Sequence, residues 1–104
     1  MPTHQQVAEK LDAIEGELRR IGAWQSAPLS AEQYDFRQAF AMDTMAFTQW
    51  LQFIFIERVR SLVASGGAFP RSSQVGVQAL REFDGQPEAS DLTRLLNEFD
   101  DLFG

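Results

Sequence analysis

The sequence predicts an all-α domain: a four-helix bundle with a long aromatic-rich connector between its first and second main helices. Three observations carry this. Apolar residues recur at helical spacing in the first and last segments. The stretch from Asp43 to Ser65 is apolar on nearly all sides of a helical wheel. No segment combines strand composition with flanking turn residues. With 104 residues, no internal repeat and no low-complexity tract, residues 1–104 read as one domain.

In the first helix Val7, Leu11, Ile14, Leu18 and Ile21 fall at spacings of four, three, four and three, which puts them on one stripe. Thr3 is the expected N-cap, with Gln6 as its reciprocal partner. Gly22 is the expected left-handed terminator. Gly16, in mid-helix at a cost of roughly 1 kcal/mol relative to alanine, suggests a close helix–helix approach. Trp24 to Met42 is a connection. Pro28 bars an inner helical position, and Ser30-Ala31-Glu32-Gln33 can open one short turn. Trp24, Tyr34, Phe36 and Phe40 are expected to pin this connection onto the core, because a structureless loop of such length is unusual.

Asp43 reads as the N-cap of the second main helix, which runs to about Ser65 and stops at Gly66-Gly67. Phe53-Ile54-Phe55-Ile56 has strand-like composition, but the length of the segment favours a helix. Pro70 closes the next connector. Ser72 or Ser73 then caps a short helix carrying Val75, Val77, Ala79, Leu80 and Phe83, weakened by Gly76. Asp84-Gly85-Gln86-Pro87 is a turn. Ser90 caps the last helix, with Asp91 in its first turn, where the helix dipole favours an acid. Leu92, Leu95, Leu96, Phe99, Leu102 and Phe103 form its stripe. The expected core is Val7, Leu11, Ile14, Leu18, Phe47, Trp50, Leu51, Ile54, Val59, Leu62, Leu80, Leu95, Leu96 and Phe99.

The absence of cysteine removes disulfides, thiolate nucleophiles and thiolate metal sites. The net charge is −6, and residues 72–104 hold two arginines against seven carboxylates. Such a surface repels phosphate backbones and anionic membranes, so neither direct nucleic-acid binding nor a membrane partner is expected. The N-terminal residues show no signal-peptide pattern, and no apolar run approaches the roughly 20 residues of a membrane span. The expected location is the cytoplasm.

Catalytic chemistry finds little support. His4 is the only histidine and stands at an end expected to fray. There is no His-Glu-x-x-His and no calcium-loop spacing, and Gly66-Gly67 is too short to cradle phosphate. Ser72-Ser73 has no histidine or lysine placed to activate it. Neither a metal nor a cofactor is expected. Gln49 and Gln52 read as helix-surface or hydrogen-bonded core groups, and Arg58 reads as the partner of a carboxylate. The leading expectation is a non-catalytic interaction protein that docks on a protein partner. The alternative is a small-ligand or enzymatic pocket lined by Trp24, Phe40, Met45, Trp50 and Arg58. Successive helical residues lie about 100° apart. Phe53, Ile54, Phe55 and Ile56 therefore cannot all face one core, and Phe53 or Phe55 is expected at an interface, most simply that of a two-fold homodimer.

A family resemblance adds to this reading. Phe40-Ala41-Met42-Asp43-Thr44-Met45, Trp50-Leu51-Gln52, Ile56, Arg58, Leu62 and Phe69-Pro70 resemble the signature of the YqcC-like family of small bacterial helical proteins. Trp24 and Phe99-Asp100-Asp101-Leu102-Phe103 fit the same pattern, so the resemblance spans nearly the whole chain. It implies a helical bundle without an assigned activity. It also implies a link to tRNA modification, since genes of the family often neighbour that of a tRNA pseudouridine synthase. The family usually has proline where this chain has Ala39 and Glu57. An interior proline kinks a helix, so this chain is expected to be straighter at Ile56-Glu57-Arg58.

Overall fold

The computed structural model describes residues 2–103, and there is no strand among them. Helix α1 spans His4–Arg20. Thr3 Oγ1 accepts from the Gln6 amide at 3.0 Å, and Gln6 Oε1 accepts from the Thr3 amide at 2.9 Å. Two of the orphan donors at the helix start are thereby satisfied. At the other end Gly22 takes φ 76°. The Ala23 amide reaches back to the Leu18 carbonyl at 2.8 Å and the Gly22 amide to that of Arg19 at 3.1 Å, the paired termination that a left-handed glycine permits. Val7, Leu11, Ile14 and Leu18 are fully buried. Gly16 is exposed, and nothing lies within 4 Å of where its Cβ would stand, so it marks no helix contact.

The second main helix is a rod in three parts: α2 (Phe47–Trp50), a π-helical turn (Leu51–Ile56) and α3 (Glu57–Ser65). It starts three residues later than expected, with Ala46 rather than Asp43 at the N-cap position, because Asp43 serves the segment before it. Its Oδ2 accepts from the Arg37 amide at 3.0 Å and its Oδ1 from the Gln38 amide at 3.4 Å. At the helix start Gln49 Oε1 holds the Ala46 amide at 2.9 Å. The π turn alters the helical wheel. Residues five apart in an α-helix lie about 140° apart, whereas the i→i+5 bonding of a π turn brings them to one side. Trp50 and Phe55 accordingly stack, with ring centroids 5.6 Å apart and an interplanar angle of 27°. Leu51, Gln52, Ile54, Phe55 and Ile56 are all buried and Phe53 is half-buried. Where the π turn passes into α3 the backbone is regularly helical, at Ile56 (φ −60°, ψ −44°) and Glu57 (φ −60°, ψ −46°).

All-round burial is possible because the connector wraps the rod. Gln52 Oε1 accepts from the Gln25 amide at 3.0 Å while its Nε2 donates to the Gln25 carbonyl at 2.8 Å. Gln49 Nε2 adds a bond to Gln25 Oε1 at 3.1 Å. Further on, Ser30 and Gln33 cap a short turn, Ala31–Tyr34. Leu29, Ala41, Met45 and Ile54 close a second small core, with Phe36, Trp50 and Phe53 against it. Tyr34, at 50% exposed, does not help to pin the connector.

Helix α4 (Val75–Glu82) packs on α5 (Ser90–Asp101), which also packs on α1. Neither Ser72 nor Ser73 caps α4. Asp100, from the last turn of α5, accepts from the amides of Val75 (3.1 Å) and Gly76 (2.8 Å) and from Ser73 Oγ (2.6 Å). A carboxylate from a distant helix therefore meets the positive end of α4. Close approach fixes which face of α4 turns inward. A Cβ on Gly76 would lie 2.6 Å from the Asn97 Cα, so only glycine fits. With Val75, Gly76 and Ala79 inward, Leu80 is 58% exposed, which removes it from the expected core. Trp50, Val59 and Leu62 are half-buried. Ser90 is the first residue of α5 rather than its cap, since the turn Pro87–Ala89 leads directly into the helix. His4 is held in place: its Nε2 lies 2.9 Å from the Gly67 carbonyl and its ring 4.7 Å from that of Phe69.

The two helical glycines should respond oppositely to alanine. Gly76→Ala forces the α4–α5 contact apart and should cost about 1–3 kcal/mol, as overpacking does. Gly16→Ala meets open space and should stabilise by about 0.5–1 kcal/mol. Urea melts of both variants check this, and equal effects would contradict the packing described. Asp43 adds a pH dependence. The backbone amide of Arg37, more than any other group, holds its carboxyl below the ordinary carboxylate value. A depressed folded value contributes stability above the unfolded value that is lost as pH falls through the folded one. Asp43→Asn should therefore flatten the loss of stability below about pH 4, measured as urea midpoints against pH. A parallel offset at every pH would count against it.

Candidate functional site

The rod, the Phe69–Val75 segment and the end of α5 enclose a groove of about 280 Å³. Its apolar lining comes from different elements for different reasons. Trp50 and Phe55 stand together because of the π turn. Val59 and Leu62 follow on α3, and Phe99 and Phe103 come from the α5 stripe. Rings meet in a continuous series along it: Phe40 to Trp50 at 4.9 Å, Trp50 to Phe55 at 5.6 Å, Phe55 to Phe99 at 4.9 Å and Phe99 to Phe103 at 5.0 Å. Edge-to-face and offset pairs of this kind each add about 0.5–1.5 kcal/mol beyond the area they bury.

Phe40 reaches the groove through strained backbone. Phe40 and Ala41 have φ of 57° and 51°, left-handed values that cost non-glycine residues free energy. The surroundings hold them there. Asp43 gathers the amides just before the turn, Thr44 Oγ1 donates to the Gln33 carbonyl at 2.7 Å, and Ala41 is fully buried in the second core.

Arg58 stands on the groove lining and is exposed. The expected pairing with a carboxylate is not found: it forms no ion pair among the described residues. Arg60, two positions on, bridges Asp12 and Glu15 on α1, both at 3.1 Å. The free amides at the α4 end are already satisfied, because Asp100 occupies those of Val75 and Gly76.

Of the five residues expected to form a pocket, the fold brings Phe40, Trp50 and Arg58 together and leaves two elsewhere. Trp24 lies at the end of α1 under the Arg19 guanidinium, 4.6 Å from its ring centroid. Met45 is buried in the second core. Phe55, offered as an interface residue, is 7% exposed and belongs to the main core, and Phe53 is half-buried against the connector. The wheel argument behind that expectation assumed regular α-helical spacing, which the π turn replaces. Phe69, Phe99, Phe103 and Val59 were not foreseen as site residues; the aromatic Phe99/Phe103 spacing on the last helix was the available signal. No group of metal-binding side chains occurs among the described residues. No helix of the described residues is long and apolar enough to cross a membrane.

One solved structure matches this chain in fold over nearly its whole length, and three known proteins match two thirds of it or more in sequence. In the solution NMR structure of YqcC from Escherichia coli the same architecture recurs with a TM-score of 0.85 and 29% identity, over 99% of this chain and 89% of that one. An uncharacterised protein of Haemophilus influenzae is 30% identical over 82 residues, 76% of this chain and 77% of its own length. A Pectobacterium carotovorum protein named tRNA pseudouridine synthase C is 38% identical over 72 residues, 69% of this chain but only 19% of that protein. YqcC of Escherichia coli K12 is 34% identical over 70 residues, 67% of this chain and 64% of its own length. The DUF446 family, described as tRNA pseudouridine synthase C, matches residues 6–102. The chain therefore belongs to the DUF446 family, the YqcC-like helical proteins.

Proposed function

We propose that this chain is a non-catalytic accessory protein of tRNA modification that acts through a protein partner, a tRNA pseudouridine synthase. The observation that carries the reading is the Pectobacterium relative. A region similar to this chain makes up 19% of a protein named tRNA pseudouridine synthase C. Two domains joined in one chain hold each other at high effective concentration; the same two as separate chains need an interface. The charge favours a protein partner over RNA itself. At −6 the chain is repelled by phosphate backbones and attracted to the basic surfaces that RNA-binding proteins carry. A second reading, a small-ligand pocket, is favoured by the meeting of Phe40, Trp50 and Arg58 at one groove.

Isothermal titration of the chain into the tRNA pseudouridine synthase C of its source organism tests the first reading. A saturable one-to-one complex is expected, weakened by added salt. No heat at tens of micromolar would reject it, as would micromolar tRNA binding by the chain alone near physiological salt, because contact with RNA would then be direct. Sedimentation equilibrium of the chain alone separates a homodimer, whose interface would be a second copy, from a monomer free to meet the synthase.

A further inference from the structure

We infer that the groove binds a small carboxylate carried on an apolar body, with Arg58 receiving the carboxylate and the aromatic wall receiving the body. This rests on the reading of the groove as a ligand pocket and not on the synthase. The charge distribution comes first. In a chain of net charge −6, Arg58 is the one charged side chain among the described residues that line the groove. Lys10, Arg19, Arg20, Arg60 and Arg94 each have a carboxylate within 4.0 Å; among the described residues Arg37, Arg58, Arg71 and Arg81 have none, and of these four Arg58 alone lines the groove. A guanidinium presents a planar fork of donors that matches a carboxylate in two parallel bonds.

Size and the remaining polar groups narrow the class. A volume of about 280 Å³ lies just under the range of drug-sized sites, which suits one ring or short chain with its acid group and not a nucleotide. A phosphate would need more positive charge than Arg58 supplies. The amides that α4 could have offered at Val75 and Gly76 are committed to Asp100, and Ser73 is committed to the same carboxylate.

Two local departures from ideal backbone converge on this wall. Phe40 is presented from a left-handed turn and Phe55 from a π turn. Both cost free energy and both concentrate at binding sites. Phe40 sets its ring edge on Trp50 at 74° and lies 6.0 Å from Phe47, yet remains half-buried, so part of its ring stays on the groove lining.

Phenylacetate and its neutral amide, phenylacetamide, are the probes. Amide chemical shifts of the protein, followed by NMR during titration with each, locate and quantify binding. Phenylacetate should shift Arg58, Val59, Leu62 and Val75 and bind about tenfold more tightly than the amide, the effect of one charge-assisted contact. In Arg58→Gln the acid should fall to the affinity of the amide while the amide is unchanged; Arg58 is exposed, so a dispersed spectrum is expected. Equal affinities in the parent, or an advantage of the acid that survives Arg58→Gln, would overturn the inference. Shifts from neither compound at millimolar concentration would overturn the pocket reading as well, while leaving the synthase titration untouched.

Discussion

The π turn Leu51–Ile56 is apolar at every position but Gln52, and a helix of that kind has to be covered nearly all round. Neighbouring helices in a small bundle cover about half of it: α1 and α5 bury Leu51, Phe55 and Ile56 in the main core. The other half falls to the connector, which folds back over Ile54 and Phe53 with Leu29, Ala41 and Met45. Two cores result, one on each side of a single helix. The connector is long because it has to travel round the rod, and aromatic because it has to seal it.

Covering the rod this way imposes its own demands. The connector has no helix of its own to satisfy its backbone, so side chains do it. Gln52, buried in the rod, pairs both ends of its amide with Gln25, which avoids the penalty of an unsatisfied buried polar group. Asp43 gathers the amides of Arg37 and Gln38 and so fixes the left-handed pair Phe40 and Ala41. That strained turn carries Phe40 to the groove, where it meets Trp50. Fold and candidate site therefore meet in one turn: Ala41 closes the second core, and its neighbour Phe40 lines the groove.

Much of this was legible in the residues. The α1 and α5 stripes, the capping pairs Thr3–Gln6 and Ser30–Gln33, and the stops at Gly22 and Gly66 are local signals, and local physics decides them. The failures have non-local causes. Asp43 was read as a helix cap, yet its bonds run backward to Arg37 and Gln38. The cap of α4 is Asp100, from another helix. Leu80 was assigned to the core on helical spacing, but the Gly76–Asn97 contact turned the other face of α4 inward. Phe53 or Phe55 is expected at an interface by a wheel that assumes α-helical rotation; the π turn buries Phe55, and such a turn leaves no recognisable sign in a largely apolar run. Of the five residues expected to line a pocket, Phe40, Trp50 and Arg58 share one groove, whereas Trp24 and Met45, chosen by residue type alone, lie elsewhere.

The functional reading joins this architecture to an acidic surface and to a relative in which a similar region is part of a longer protein named tRNA pseudouridine synthase C. An accessory domain needs a rigid body to present its surface, and the claim on which everything rests is that the connector is part of that body. Native-state hydrogen exchange measures this directly. The amides of Ala41, Thr44 and Met45, each bonded within the connector turn, should open with the same free energy as those of Leu51–Ile56, in one cooperative unit. Exchange of the connector amides at near-unfolded rates, with the rod still protected, would show a loose strap over a rod that is not covered, and would contradict the account.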